Sequence, residues 1–414
     1  MTLAQTLAGA DWLTAGPVAR LFEVLDCDGE QARVVGGAVR DALIGRPVGE
    51  IDLATTALPE EIVRRAQRAR IRSIPTGIDH GTVTLMIEGL PFEVTTLRED
   101  VETFGRKAKV AFGRSWEHDA QRRDFTINAL SASREGRVHD YVGGLADLAS
   151  RRVRFIGDAP TRIAEDYLRI MRFFRFHAAF GEGAPDPVAL AACIAGREGL
   201  DTLSRERVRT ELLKLLVARR SPEAAAVMAE SGLLTRILGG VPLVPQLARM
   251  AEIEHGLALS PDALRRLGAL AVLVTEDAER LFQRLRLSNA EFQRLSSMAD
   301  GWWRIESTMT ERGARALLYR LGAAAYVDRT MLAWSRSQDS TVAAWQRLAS
   351  FPQMWNVPKL PIVAADFAEH GIAKGPGLGA ALRKAEEAWI GADFPSDRAE
   401  IAEIIRIAAR ASRN

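Results

Sequence analysis

Apolar residues recur with two different periods along this chain, and the period changes near residue 150. Before that point, 81–98 (GTVTLMIEGLPFEVTTLR) alternates apolar and polar residues on both sides of Glu88-Gly89-Leu90-Pro91. Such alternation around a turn signal predicts a β-hairpin. QARVV at 31–35 reads as a buried strand, and Gly36-Gly37 after it lets the backbone turn tightly into a helix starting near Ala38. From about 160 onward, IAEDYLRIMRFFRFHAAF, SRERVRTELLKLLVARR and SPEAAAVMAESGLLTRIL carry apolar residues every three or four positions. These segments predict amphipathic helices, with Ser204 and Ser221 as N-caps. Breaker-rich stretches at 181–187, 239–245 and 351–361 punctuate the helical part, and the α/β-to-helical boundary falls near 145–155.

Composition narrows the class. A chain of 414 residues favours two or three domains. With 47% hydrophobic and 26% charged residues it reads as a globular protein, and its longest apolar run, LGALAVLV at 267–274, is too short to span a bilayer. No basic residue precedes Arg20, so no secretory leader is expected. Cys27 and Cys193 give neither a disulfide framework nor metal-ligand spacing, which points to a reducing cytoplasm. The net charge of +2 does not by itself announce a nucleic-acid partner. The basic residues are mostly arginine, whose planar fork suits phosphate and base edges, although biased genomic composition explains the same richness.

Candidate chemistry begins at the glycine turn. Backbone N–H groups at a helix start attract anions, typically phosphate, but plain turn chemistry accounts for two glycines equally well. Glu50 and Asp52 flank Ile51, and on a strand both would fall on one face, about 7 Å apart. Like charges that close repel unless water or a cation lies between them. Mg²⁺, which takes one or two carboxylates plus substrate phosphates, would resolve the repulsion, and so would a solvated edge strand. Glu93 lies in a strand able to pair beside 50–54 and would add a third carboxylate. Three carboxylates facing a phosphate-binding turn suit an in-line displacement assisted by two metals.

Five ordered motifs carry a resemblance. GGAVRD (36–41), EIDLATTALPEEI (50–62), RRDFTINAL (122–130), DYVGGLADLASRRVRFIGDA (140–159) and EDYLRIMRFFRF (165–176) resemble those of bacterial class II tRNA nucleotidyltransferases, the CCA-adding enzymes, and their poly(A) polymerase relatives. The likeness covers about residues 31–216. It implies an α/β head of polymerase β-like nucleotidyltransferase fold over 1–148. An all-α neck at 149–220 and an all-α body and tail at 221–414 would follow, selecting the nucleobase and binding tRNA respectively. It also implies roles: Gly36 and Gly37 hold the incoming triphosphate, Arg40 and Asp41 support the turn, and Glu50 and Asp52 bind Mg²⁺ with Glu93 as a further catalytic acid. Arg122, Arg123, Asp124 and Asn128 would contact phosphates and ribose, and Asp166, Arg169 and Arg172 would also bind the nucleotide. One departure stands out: the family usually places Asp at both acid positions, whereas Glu50 occupies the first here.

Asp166 and Arg169 are three residues apart and read as helical neighbours. A surface ion pair would look the same; within the family's context the pair offers a template made of protein. A carboxylate only accepts hydrogen bonds and a guanidinium only donates them. Cytosine and adenine both present an amino donor beside an unprotonated ring nitrogen, while uracil and guanine present a carbonyl beside a ring N–H. Asp166 and Arg169 together would therefore admit CTP and ATP and reject UTP and GTP. Residues 99–112 (EDVETFGRKAKVAF), with Gly105, Arg106, Lys107 and Lys109, match the flexible loop that accompanies terminal A addition in the family. The expected partners are CTP, ATP and the acceptor arm and T-loop side of tRNA, with no membrane. An A-adding enzyme, a poly(A) polymerase and a catalytically inactive RNA-binding homologue remain as alternatives.

Overall fold

A computed structural model describes residues 6–104, 107–339 and 341–412. The chain divides into two compact units, Met1–Ile237 and Leu238–Asn414. Among the described residues, the strands of the first unit are β1 (Ala32–Val35), β2 (Asp52–Thr55), β3 (Arg72–Gly77), β4 (Thr82–Ile87), β5 (Leu90–Thr96), β6 (Arg98–Phe104), β7 (Lys107–Phe112), β8 (Ser131–Ala132) and β9 (Val138–His139). Seven of them form one mixed sheet in the order β3-β4-β5-β2-β1-β8-β9. The predicted hairpin is β4–β5, in which Val83, Leu85 and Ile87 alternate inward against Phe92 and Val94.

The strand register brings the site together. β1 runs antiparallel to β2 with Val35 opposite Asp52, so the acid sits beside the end of the strand that leads into Gly36. β2 pairs parallel with β5, Leu53 against Val94, which sets Glu93 level with Asp52. Helices Gly16–Leu25 and Pro59–Arg68 pack on each other and on this sheet, burying Leu21, Phe22, Ile62 and Ala66.

Two sequence expectations need correction here. The segment read as a flexible loop forms the separate two-stranded antiparallel sheet β6–β7, paired from Arg98↔Phe112 to Phe104↔Lys107, with Gly105 and Arg106 outside the described residues. Ser204 is the N-cap residue of helix Arg205–Leu216, but Ser221 is not a cap. It is the first residue of helix Ser221–Glu230 and is fully buried, while Arg220 occupies the cap position. Pro222 explains the shift: its fixed φ suits the first helical turn, so the helix begins one residue earlier than the Ser signal suggests.

The helical part of the first unit is centred on helix Leu168–Phe180, which packs against Arg205–Leu216 and Ser221–Glu230. Phe173 and Phe176 of that helix join Phe125 and Phe155 in an aromatic cluster with ring centroids 4.9 to 6.4 Å apart. Each buried ring contributes about 1.5–3 kcal/mol. The cluster thereby fixes the helix against the RRDFTINAL segment. The second unit is helical, and Ile362, Phe367, Trp389, Ile404 and Ile405 belong to a core of its own. Among the described residues no helix is long and apolar enough to cross a membrane.

Candidate active site

Gly36 follows β1 with φ +72° and ψ −120°, and its N–H donates to the Leu130 carbonyl at 2.9 Å. A Cβ at this position would be strained at that φ, and it would sit 3.4 Å from Arg123 Nη1 and 3.6 Å from the Asn128 carbonyl. Gly37 opens helix Gly37–Leu43, whose start has no side-chain cap, leaving first-turn N–H groups for another partner. Arg40 is buried against this turn. Its guanidinium donates to both Asp41 carboxylate oxygens at 3.0 Å and to Asn128 Oδ1 at 2.6 Å, and it lies 3.9 Å from the Phe180 ring centroid. Burial pulls its pKa down from the arginine value, against the raising effect of Asp41.

The acids lie beside the turn. Asp52 begins β2 and Glu50 lies two residues earlier, in irregular chain rather than on the strand as the alternation suggested; both nonetheless line the same cleft. The Asp52 carboxyl reaches solvent but is held above the usual carboxylate range. Partial desolvation is the leading cause, the charges of Glu93 and Glu50 add to it, and Arg123 opposes it. An acid cluster that raises its own member lacks a counter-charge, which a divalent cation would supply. Among the described residues no three His, Cys, Asp or Glu side chains form a protein-only ligand set. Independently of that, two carboxylates completed by substrate oxygens and water are a donor set that suits a divalent cation.

The RRDFTINAL segment builds the next wall. Asp124 Oδ1 accepts from Asn128 Nδ2 at 3.1 Å and from the Phe125 N–H at 2.9 Å, and Oδ2 accepts from Arg172 Nε at 2.7 Å. Burial alone would raise Asp124, but Arg172 and these hydrogen bonds outweigh it and hold the carboxyl below its ordinary value. Arg123 lines the cleft and is held by Asp119 at 3.1 Å. Arg122, Asp41 and Glu93 do not line it: Arg122 is paired with Asp119, Asp41 stands behind Arg40, and Glu93 acts on Asp52 from the neighbouring strand.

The opposite wall corrects the helical reading of Asp166 and Arg169. Helix Ala159–Glu165 stops at Asp166, whose backbone is extended (φ −154°, ψ 106°), and the next helix is Leu168–Phe180. Asp166 Oδ1 accepts from the Leu168 N–H at 3.1 Å, and this local bond replaces the helical turn that continuous periodicity implied. The two residues still face one cleft of about 580 Å³. Each is held by a neighbour, Asp166 by Arg207 at 2.6 Å and Arg169 by Glu165. Arg175 and Phe176 also line the cleft and were missed in the sequence, although Arg169, Arg172 and Arg175 repeat every three residues along one helix. Glu211 anchors Arg175 at 2.5 Å.

Glycine turn, acids and arginines thus surround one open space, with cationic side chains suited to a polyphosphate and a carboxylate–guanidinium pair suited to a base edge. Residues 32–154 match the family described as Poly A polymerase head domain. Residues 184–249 match one described as Probable RNA and SrmB-binding site of polymerase A. The chain is 33% identical to the mitochondrial CCA tRNA nucleotidyltransferase 1 of Danio rerio over 89% of its own length and 85% of that protein. It is 31% identical to the CCA-adding enzyme of Lactobacillus delbrueckii subsp. bulgaricus over 94% of its length and 96% of that enzyme. Among solved structures, the Bacillus stearothermophilus CCA-adding enzyme in complex with CTP superposes with a TM-score of 0.74 at 26% identity, covering 96% of this chain and 99% of that one.

Proposed function

We propose that this chain, which belongs to the family of CCA tRNA nucleotidyltransferases, adds C, C and A to the 3′ end of tRNA from CTP and ATP, without a nucleic-acid template. One observation carries the proposal: Gly36, Asp52, Asp124, Asp166 and Arg169, drawn from separate motifs, line a single cleft. We assign 1–148 to a catalytic head, 149–220 to a neck that selects the base, and 221–414 to a tRNA-holding body and tail. The acceptor arm and T-loop side are the expected tRNA surfaces, held by shape and phosphate contacts. The setting we propose is the cytoplasm, consistent with free Cys27 and Cys193.

In the transfer, the terminal 3′ hydroxyl oxygen attacks the α-phosphorus of the nucleotide. The bond from that phosphorus to the bridging oxygen breaks, and pyrophosphate leaves. Gly36 and Gly37 cradle the triphosphate, with Arg40 and Asp41 bracing the turn. Arg123 and Arg172 carry compensating charge, and Asp124 and Asn128 hold the ribose side. Glu93 acts through Asp52 from the neighbouring strand, and the hydroxyl proton leaves to water. Glu50 and Asp52 would hold Mg²⁺, which supplies charge neutralisation at the phosphates and lowers the pKa of the attacking hydroxyl. Asp166 accepts from the amino group shared by cytosine and adenine while Arg169 donates to the adjacent ring nitrogen; the incoming base must displace or share Arg207 and Glu165 to reach them.

The test is a magnesium-containing reaction with tRNA lacking its 3′ CCA, given CTP, ATP or both, and read at one-nucleotide resolution. Two additions with CTP and a third only with both nucleotides is the expected result. A long tail from ATP alone would make the protein a poly(A) polymerase. One A added solely to tRNA ending in CC would make it an A-adding enzyme, and binding without extension would make it an inactive homologue.

A further inference from the structure

The seven-stranded sheet has two unlike faces. Val34, Leu53, Leu85 and Val94 alternate onto the buried one. The opposite face carries Asp52 and the exposed Glu93, and its register continues past them. Asp52 is opposite Val35, Val35 is opposite Ser131, and Ser131 is opposite His139, so one row crosses β2, β1, β8 and β9. Residues two apart along a strand share a face, which sets Arg33 beside Val35 and Arg137 beside His139.

An aromatic and cationic platform stands on that face. Trp116 packs on Val35, Ala54 and Leu97, and its Nε1–H donates to Gln31 Oε1 at 2.8 Å. Arg33 lies over the Trp116 ring at 4.1 Å and donates through Nη1 to the Tyr141 hydroxyl at 3.0 Å, and Tyr141 is 39% exposed. The cleft's arginines are paired with acids: Arg40 with Asp41, Arg123 with Asp119, Arg172 with Asp124. Among the described residues neither Arg33 nor the exposed Arg137 has a carboxylate partner. Their charges converge on His139, which burial and then these two arginines hold below its ordinary value, against Glu135. Glu135 itself accepts from Ser133 at 2.8 Å.

Arginines without acid partners beside an arginine–tryptophan stack suit a single-stranded polynucleotide, whose phosphates meet the cations and whose bases stack on exposed aromatic surface. Position selects which part of it. Along β1, Gly36 lies beyond the level of Asp52 and Arg33 lies before it. The cleft that would hold the triphosphate is lined by Gly36 and Gly37, and none of Arg33, Trp116, Arg137 or Tyr141 lines it. In an in-line displacement the attacking oxygen arrives on the side of phosphorus opposite the leaving pyrophosphate. The attacking strand then reaches Asp52 from the Arg33 side, about 7 Å away along the strand.

We propose that Arg33, Arg137, Trp116 and Tyr141 seat the unpaired 3′ end of the RNA substrate. The two arginines hold its last phosphodiesters, and Tyr141 with the Arg33–Trp116 stack supports a terminal base, which brings the 3′ hydroxyl to Asp52. The proposal rests on the reading of the chain as extending tRNA.

The test compares wild-type protein with Arg33→Gln, Arg33→Lys and Arg137→Gln. Binding is measured across a salt series for tRNA ending in CC and for the same tRNA trimmed to its last base pair, and extension of the first by ATP and Mg²⁺ is followed. We expect Arg33→Gln and Arg137→Gln each to weaken binding of tRNA ending in CC about fivefold and to lower the log–log salt slope by about 0.7, the value for one single-strand phosphate contact. Arg33→Lys should keep the slope. The KM for tRNA should rise in step, with the KM for ATP and the rise in melting temperature caused by ATP unchanged, and trimmed tRNA should bind all four proteins alike. Arg137 is exposed, so its variant carries the test even where Arg33→Gln melts early. Equal binding of tRNA ending in CC by all four proteins would overturn the seat. An equal loss on trimmed tRNA would overturn it in favour of a duplex contact, and a loss of the ATP-dependent melting shift in favour of a nucleotide site. Failure of wild-type protein to extend any tRNA would strike the catalytic reading instead, and the two binding arms would still decide the seat.

Discussion

At the scale of single residues, Asp52 joins a functional demand to a measurable cost. Partial desolvation and the Glu93 and Glu50 charges raise its carboxyl above the unfolded value, so ionising it disfavours the folded state. For such a raised acid the stabilising contribution is fully present below the unfolded value, near 3.8, and is lost as pH rises through the folded value. The cation-free protein therefore bears a growing cost as pH rises from the acid range. Asp52→Asn should abolish nucleotide addition yet raise the melting temperature in EDTA at pH 7, with the gain shrinking toward about pH 4. A variant melting below wild type at pH 7 would contradict this electrostatic account. Glu50→Asp should retain addition, because it shortens the side chain by one methylene and restores the residue usual in the family. Loss of extension in that variant would show that the longer arm from irregular chain at position 50 is required.

At the scale of elements, the joint between the RRDFTINAL segment and helix Leu168–Phe180 rests on the aromatic cluster and on the bond from Arg172 to Asp124. Arg172→Ala would leave a buried carboxylate without its cation. We expect a loss of about 2 kcal/mol at neutral pH and a raised KM for both CTP and ATP. Because Asp124 is held low in the folded state, the stabilisation is present above about 3.8 and is lost as pH falls through the lower folded value. The gap between wild type and variant in urea denaturation should close only in strong acid; a gap independent of pH would assign the loss to packing instead. Much of this region was legible from local pattern: β4–β5 from alternation, β1 from its β-branched run into two glycines, and the pairing of Glu93 beside Asp52. The break at Asp166 was not legible, because neither Gly nor Pro marks it and the apolar spacing runs on through EDYLRIMR. Arg207 was hidden for another reason: its contact with Asp166 spans 41 positions, and no local pattern encodes a partner that far away. The β6–β7 hairpin was read as a loop because the resemblance assigns a loop to 99–112, and the many charged residues there leave no regular apolar–polar alternation to contradict it.

At the scale of the whole molecule, the division at Ile237 and Leu238 falls just before the breaker-rich stretch 239–245. Each unit has its own buried core: the aromatic cluster and sheet in the first, and the set around Phe367 and Trp389 in the second. Units with separate cores are free to unfold in separate steps, and the two-state description then fails for the chain as a whole. The candidate active-site cleft is formed wholly by residues of the first unit. A ligand that binds a folded unit and not its unfolded form raises the stability of that unit by mass action. We therefore expect calorimetry to resolve two transitions, only one of which moves upward when CTP and Mg²⁺ are added. Limited proteolysis within 238–245 should release a fragment ending there that keeps the CTP-dependent shift. One transition moving as a whole would mean that the units unfold together, and a shift retained only in the fragment beginning after residue 245 would place nucleotide binding outside the cleft.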